Sequence, residues 1–226
     1  TAQNGTTVAG IFPVTADFVR QQIETIQEGF PLKSAKTGML FAEDIIHCVA
    51  TILQAKTFPL VVDPVSVSQS GCPLLQKAAI ETMQAELLPL ADLITPNIPE
   101  AEMLTKIEIR DQNDIFEAGA RLLEQTNGAV LIKGGHLNNT ILVTDYLFER
   151  NAAPKALPKP HISTKNNHGT GCTLSAAIAT CLAQGLPLQV CITRAQDFLN
   201  LALQTSYTPG IGAGPVNHAC LSGKHP

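Results

Sequence analysis

Charged residues make up only 15% of the 226-residue chain, and lysine and arginine never gather into a basic run. The net charge is −4, so the electrostatic footprint of a DNA- or RNA-binding protein is missing and no nucleic-acid partner is expected. No apolar stretch approaches the ~18 residues that suggest a membrane span, and no signal-peptide pattern opens the sequence. A cytoplasmic protein without a membrane partner is therefore expected. The six cysteines, Cys48, Cys72, Cys172, Cys181, Cys191 and Cys220, form no CxxC pair. That spacing predicts free thiols in a reducing compartment, mostly small core fillers, and argues against a zinc site. A GxxxxGK[ST] loop is missing, which excludes a P-loop kinase. A GxGxxG after a strand is missing too, which argues against a dinucleotide oxidoreductase. The opening "TAQNGTTVAG" brings neither an initiator methionine nor a leading strand.

What is present is apolar and alternating. Hydrophobic residues are 45% of the chain, and the length suits one large α/β domain, residues 1–226. "TADFVRQQIETIQEGF" has helical spacing with Thr15 as its cap, and "LKSAKTGML" is a strand running into a glycine turn. "FAEDIIHCVATILQ" is the next helix, and "FPLVVDPV" an apolar strand ending in Asp-Pro. "LLQKAAIETMQAELLPLA" is predicted as one long amphipathic helix, followed by the short buried strand "DLITPN". "DQNDIFEAGARLLEQT" returns to helix; "GAVLIKGGH" is a strand broken by a double glycine. "TILVTDYLFE" and "APKALPKPHIST" pair as a hairpin or meander whose prolines belong at an edge. Two helices close the chain, "GTGCTLSAAIATCLAQG" and "LQVCITRAQDFLNLALQTSY". The order predicts an α/β three-layer arrangement, a mainly parallel sheet of about eight strands with helices on both faces.

In such sheets the ligand crevice lies beyond the carboxyl ends of the strands. Thr37-Gly38, Asp63-Pro64, Thr95-Pro96-Asn97 and Lys133-Gly134-Gly135 all fall there. "HGTGCTLSAAIA" places Gly169 and Gly171 at the start of an apolar helix, where N–H groups are unpaired and a backbone without Cβ atoms can approach an anion. A tight turn that merely starts a core helix would carry the same glycines; His168, Thr170 and Cys172 add groups that donate or transfer protons. In "NIPE", Asn97 can cap a helix with Pro99 in its first turn, and Glu100 suits the dipole. Glu100 and Asp63 are equally two carboxylates at parallel strand ends facing one crevice, the donor set of a hydrated magnesium ion. Lys133 ends an apolar strand, as either an edge charge or a phosphate clamp.

Taken together, "KTGML", "VVDPV", "LITPNIPEAEML", "LIKGGH", "TKNNHGTGCTLSAAIA" and "GPVNH" resemble the hydroxymethylpyrimidine and phosphomethylpyrimidine kinases of thiamine biosynthesis, in the ribokinase-like superfamily. The resemblance runs nearly end to end, although the family's first strand and glycine-rich loop have no counterpart ahead of "TAQN". It implies a ribokinase-like fold, ATP and Mg2+ as co-reactants, a small pyrimidine substrate and a homodimer. It further implies that Gln3 hydrogen-bonds the aminopyrimidine and that Met39 and Val65 wall the ring. Asp63, Glu100 and Asn97 match the magnesium and phosphate region, Lys133 a residue near the ATP phosphates, and Thr164 and Asn166 the nucleotide's surroundings. Gly169, Thr170, Gly171 and Cys172 match the anion hole, with cysteine where many relatives carry aspartate. Cys172 is thereby the candidate base for the alcohol.

Three alternatives stay open at this stage. A pyridoxal kinase uses the same scaffold and a similar hydroxymethyl heteroaromatic; Gln3 and Met39 favour the pyrimidine. A thiol enzyme would use Cys172 as nucleophile and His168 as base, without a visible third orienting residue. A non-catalytic binding protein would turn over no ATP.

Overall fold

The computed structural model describes residues 1–67, 73–134 and 141–222; Cys72, and Gly135 and His136 of "LIKGGH", lie outside the described residues. Its main sheet has six strands, ordered β3-β4-β5-β6-β7-β8. Strands β3 (Ala35–Thr37), β4 (Leu60–Val62), β5 (Leu93–Ile94) and β6 (Ala129–Ile132) run parallel. Strands β7 (Leu142–Phe148) and β8 (Lys155–Pro160) continue the sheet as an antiparallel hairpin, in which Thr144 faces Pro158 and Leu142 faces Pro160. The prolines thus sit on the outermost strand, where a missing N–H breaks no ladder.

Side-chain alternation builds the layers. Leu60, Val62, Ile94, Val130 and Ile132 point into one core. That side is covered by α2 (Glu43–Leu53), α3 (Lys77–Thr82), α4 (Ile98–Thr105) and α5 (Gln112–Glu124), with α1 (Ala16–Gly29) packed outside α2. Val61, Leu93, Leu131 and Leu147 point the other way, against α6 (Thr170–Ala183) and α7 (Leu188–Gln204). Runs such as Leu60-Val61-Val62 are apolar at every position because both faces are buried. The three-layer expectation and the mainly parallel sheet hold. Among the described residues no helix is long and apolar enough to cross a membrane.

Three expectations are corrected. Among the described residues the sheet has six strands, where about eight were expected. The two remaining strands, β1 (Ala2–Gln3) and β2 (Val8–Gly10), form a separate antiparallel ribbon in the segment expected to hold no strand. Its turn is built by Asn4, whose Oδ1 accepts from the amides of Thr6 and Thr7 at 2.9 and 3.0 Å, a local bond that competes with regular structure. Finally, the long helix over 74–91 is interrupted: α3 ends at Thr82, and a π-helical turn, Met83–Leu87, and a 3-10 turn, Leu88–Leu90, follow. Pro89 has no N–H to continue the ladder, and the wider turn still buries Met83, Leu87 and Leu88.

Candidate active site

Every strand of the parallel set delivers a polar residue to the same end of the sheet. Asp63 follows β4 and is 1% exposed; its Oδ1 accepts from Lys133 Nζ at 2.8 Å and from Thr95 Oγ1 at 3.2 Å, its Oδ2 from Ser175 Oγ at 3.3 Å. Lys133 follows β6, and its amide donates to the carbonyl of Pro96 at 2.8 Å, which ties two strand ends together. Its ammonium also lies 3.8 Å from Glu100 Oε2. Burial alone would push the Lys133 pKa down, but Asp63 and Glu100 outweigh it and hold the ammonium above the usual lysine value.

Asn97 caps α4 in a reciprocal box: its Oδ1 accepts from the Glu100 amide at 2.9 Å, and Glu100 Oε2 accepts from the Asn97 amide at 2.8 Å. The capping reading of "NIPE" is therefore correct, and it leaves the carboxylate at the site. Burial pushes the Glu100 pKa up, against the pull of Lys133, while the charge of Asp63 adds to the rise.

The glycine turn at the start of α6 is formed. Gly169 precedes α6 at φ 81°, a left-handed conformation suited to glycine, and no side chain caps the first turn. The helix end thus presents amides and a partial positive charge. A Cβ on Gly171 would stand 3.0 Å from Lys133 Nζ and 3.7 Å from Asp63 Oδ2, so the helix N-terminus and the ammonium converge on one point. Gly171→Ala is expected to fold as well as the wild type, because the flexible lysine end can shift and alanine favours helix. The same methyl would occupy the space between the helix start and the Lys133 ammonium, so turnover should fall by about 100-fold if the transferred phosphate lies there. Wild-type kcat in this variant, with the melting temperature unchanged, would place the transferred phosphate elsewhere.

Beside this point opens a cleft of about 270 Å³, lined by Asn97, Lys133, Thr164, Thr170 and Gly171 and on its apolar side by Val143, Leu174, Leu199 and Leu203. Asp145 on β7 also lines it, buried, with its carboxylate accepting from the Gly134 amide at 3.0 Å and from Gln196 Nε2 at 2.8 Å; burial raises its pKa. Asp145 is not among the residues expected at the site, although an acid inside the apolar run "LVTDYLF" is a signal of its own. Lys159, ion-paired with Asp197, is not among them either. A second cleft, about 540 Å³, takes in Cys172, Thr173, Phe198 and His218. Cys172 is exposed there.

Other expected residues stand apart. Asn166 is not among the residues lining either cleft; it is buried, and its Oδ1 accepts from Thr208 Oγ1 and the Gly214 amide, both at 2.9 Å. Gln3 is exposed on the β1–β2 ribbon, and Met39 and Val65 are half-buried beyond β3 and β4. None of these three lines either cleft.

Among the described residues no group of three or more His, Cys, Asp or Glu gathers into a metal cage. Asp63 and Glu100, two buried carboxylates beside Lys133 and the start of α6, are a donor set that fits magnesium, which prefers few protein ligands and keeps water and phosphate oxygens. Glu100→Gln should retain the bond from the Asn97 amide while losing the charge. Because the folded-state pKa of Glu100 is raised, its stabilising share is present below about 4.3 and is lost as pH rises through the folded value. The amide should therefore melt at the same or a higher temperature at neutral pH. The magnesium concentration for half-maximal rate should rise about tenfold or more; an unaltered magnesium dependence would refute the role.

A mainly parallel sheet with an uncapped helix start, a lysine and two carboxylates at its carboxyl edge is the arrangement expected of a ribokinase-like phosphotransferase. The family model for phosphomethylpyrimidine kinase matches residues 1–217, and the chain belongs to that family. The chain is 42% identical over 225 residues to a hydroxymethylpyrimidine/phosphomethylpyrimidine kinase of Haemophilus influenzae, covering 98% of this chain and 84% of the relative. Among solved structures it is similar to a pyridoxal kinase from Staphylococcus aureus in complex with AMP-PCP and pyridoxal (TM-score 0.85, 28% identity, 96% of this chain and 80% of that one). It is also similar to a phosphomethylpyrimidine kinase from Clostridium difficile (TM-score 0.74, 34% identity, 88% and 82%).

Proposed function

We infer that this chain uses ATP to phosphorylate hydroxymethylpyrimidine, and then the resulting monophosphate to the diphosphate, in thiamine biosynthesis. The observation that carries the site assignment is the convergence of Lys133 Nζ, Asp63 and Gly171 at the start of α6. Phosphoryl transfer asks a protein for in-line positioning and for neutralisation of spreading negative charge. In this reading ATP lies in the cleft at α7, its adenine against Leu199 and Leu203 and its phosphates toward Lys133. Thr164 and Asn97 flank the nucleotide, whereas Asn166 holds the loop that carries Thr164, whose Oγ1 accepts from the Asn166 amide at 3.1 Å. Glu100 and Asp63 would hold hydrated Mg2+, which supplies further neutralisation of phosphate charge. The amides of Gly169–Cys172 receive the γ-phosphoryl group. The alcohol oxygen forms a bond to the γ-phosphorus as the bond to ADP breaks, and Cys172 takes the hydroxyl proton. Gln3, Met39 and Val65 are the proposed contacts to the pyrimidine.

The test is a comparison of kcat/KM for hydroxymethylpyrimidine, its monophosphate and pyridoxal with Mg-ATP. A higher value for pyridoxal would replace this reading with a pyridoxal kinase, the activity named for one of the similar solved structures. Two copies are proposed to pair over the exposed Phe12, Phe18, Ile26 and Phe30 along and beside α1, and a monomeric mass by light scattering would overturn this. The free cysteines among the described residues suit a reducing, cytoplasmic compartment.

A further inference from the structure

The ammonium of Lys36 has no part in the roles above. Lys36 is the middle residue of β3; its neighbour Ala35 packs toward the α2 side, so Lys36 points toward α6. Its Nζ lies 3.5 Å from Ser175 Oγ, one turn along α6 from Cys172. The nitrogen is also 3.1 Å from the position of a Cβ on Gly38, and Val65 Cγ2 lies 4.0 Å from that position. The absence of a side chain at Gly38 is what admits the ammonium. A second cation thus stands between the segment that carries Met39, Val65 and the helix of Cys172.

Its partners are too few for its charge. Lys36 is half-buried, and among the described residues no carboxylate forms an ion pair with it. Asp63 reaches it only through Ser175. An ammonium carries three donors, and burying it without an anion is costly. Lys133, by contrast, is already committed to Asp63 and Glu100. The two proposed acceptors differ by one phosphate, which is mostly a dianion at neutral pH because its second pKa is about 6. In the second transfer this dianion approaches the ATP phosphates, and the like charges require a cation on the acceptor side.

We propose that Lys36 is the specificity-determining cation for the second phosphorylation: its ammonium receives the phosphate of the monophosphate acceptor. This rests on the two-step kinase reading. Lys36→Gln should lower kcat/KM for the monophosphate by about 10- to 100-fold, the worth of a hydrogen bond to a charged group. Turnover of the alcohol should stay within a factor of three (~0.65 kcal/mol) and serves as the control for folding. Lys36→Arg should restore most of the loss. Calorimetry without ATP should show monophosphate binding weakened in Lys36→Gln and alcohol binding unchanged. Equal losses for both acceptors, or unchanged monophosphate binding, would overturn the assignment of Lys36 alone. A wild-type protein that turns over neither acceptor would overturn the kinase reading itself, and this inference with it.

Discussion

Cys172→Ala is expected to cut phosphorylation of the hydroxymethyl alcohol by roughly 100- to 10,000-fold, the usual worth of a positioned general base. Phosphorylation of the monophosphate should fall by less than about fivefold, because that acceptor has lost its proton before it attacks: its second pKa is about 6. The asymmetry separates chemistry from architecture. Cys172 is the third residue of α6 and is exposed to the second cleft, so truncation at Cβ leaves no buried cavity and the helix start should be kept. Its backbone amide survives, and so does the turn proposed to bind the phosphoryl group. If Cys172 only shaped that turn, both reactions would lose rate together, since both move the same γ-phosphoryl group past the same amides. Initial rates with each acceptor, measured on one preparation at saturating Mg-ATP, decide between the two. Equal losses would remove Cys172 as the base.

Much of this arrangement is legible in the sequence because it is written in short-range chemistry. Leu60-Val61-Val62 followed by Asp63-Pro64 announces a strand buried on both faces with a polar residue at its end. Thr15, Asn97 and the glycines of "GTGC" mark helix starts through local bonds and backbone freedom. What stayed hidden depends on partners distant in the chain. The capping box and the magnesium carboxylate compete for Glu100 on paper, whereas in the fold one side chain does the first while standing 3.8 Å from Lys133. Lys36 and Ser175 are 139 residues apart, and no periodicity joins them. Asp145 reads as an interruption of a strand until Gly134 and Gln196 are seen to bond it. The break after Thr82 needed Pro89 to be weighed against an otherwise regular apolar stripe. Gln3 shows the converse: a residue matched by family resemblance whose side chain lines neither cleft.

Lys133→Met should cost both rate and stability, and the two losses have one origin. The ammonium neutralises two carboxylates that are 1% and 5% exposed and stands 3.0 Å from the position of a Cβ on Gly171, in the turn proposed to bind the phosphoryl group. Losing an electrostatic group that faces developing charge should lower kcat by about 100- to 1,000-fold. Breaking a buried pair strands the remaining charge, at a cost of about 3–5 kcal/mol. The hydroxyls of Thr95 and Ser175 continue to donate to Asp63, so the lower end, about 3 kcal/mol, is expected, a melting-temperature drop of about 6–12 °C for a chain of this size. The pH dependence carries the sign. Glu100 already has a raised folded-state pKa, and Lys133 is what pulls it down. Without Lys133 the folded protein holds that proton to still higher pH than the unfolded chain does, so stability falls as pH rises past about 4.3. The gap between variant and wild type should therefore be smaller near pH 4 than near pH 7. In the wild type the raised Lys133 value places its own stabilising share below about 10.4, lost as pH rises through the folded value. Melting curves at several pH values, taken beside kcat at neutral pH, test both halves. A variant that loses turnover yet melts like the wild type at pH 7 would show that the Lys133–Asp63 pair serves the reaction without supporting the fold.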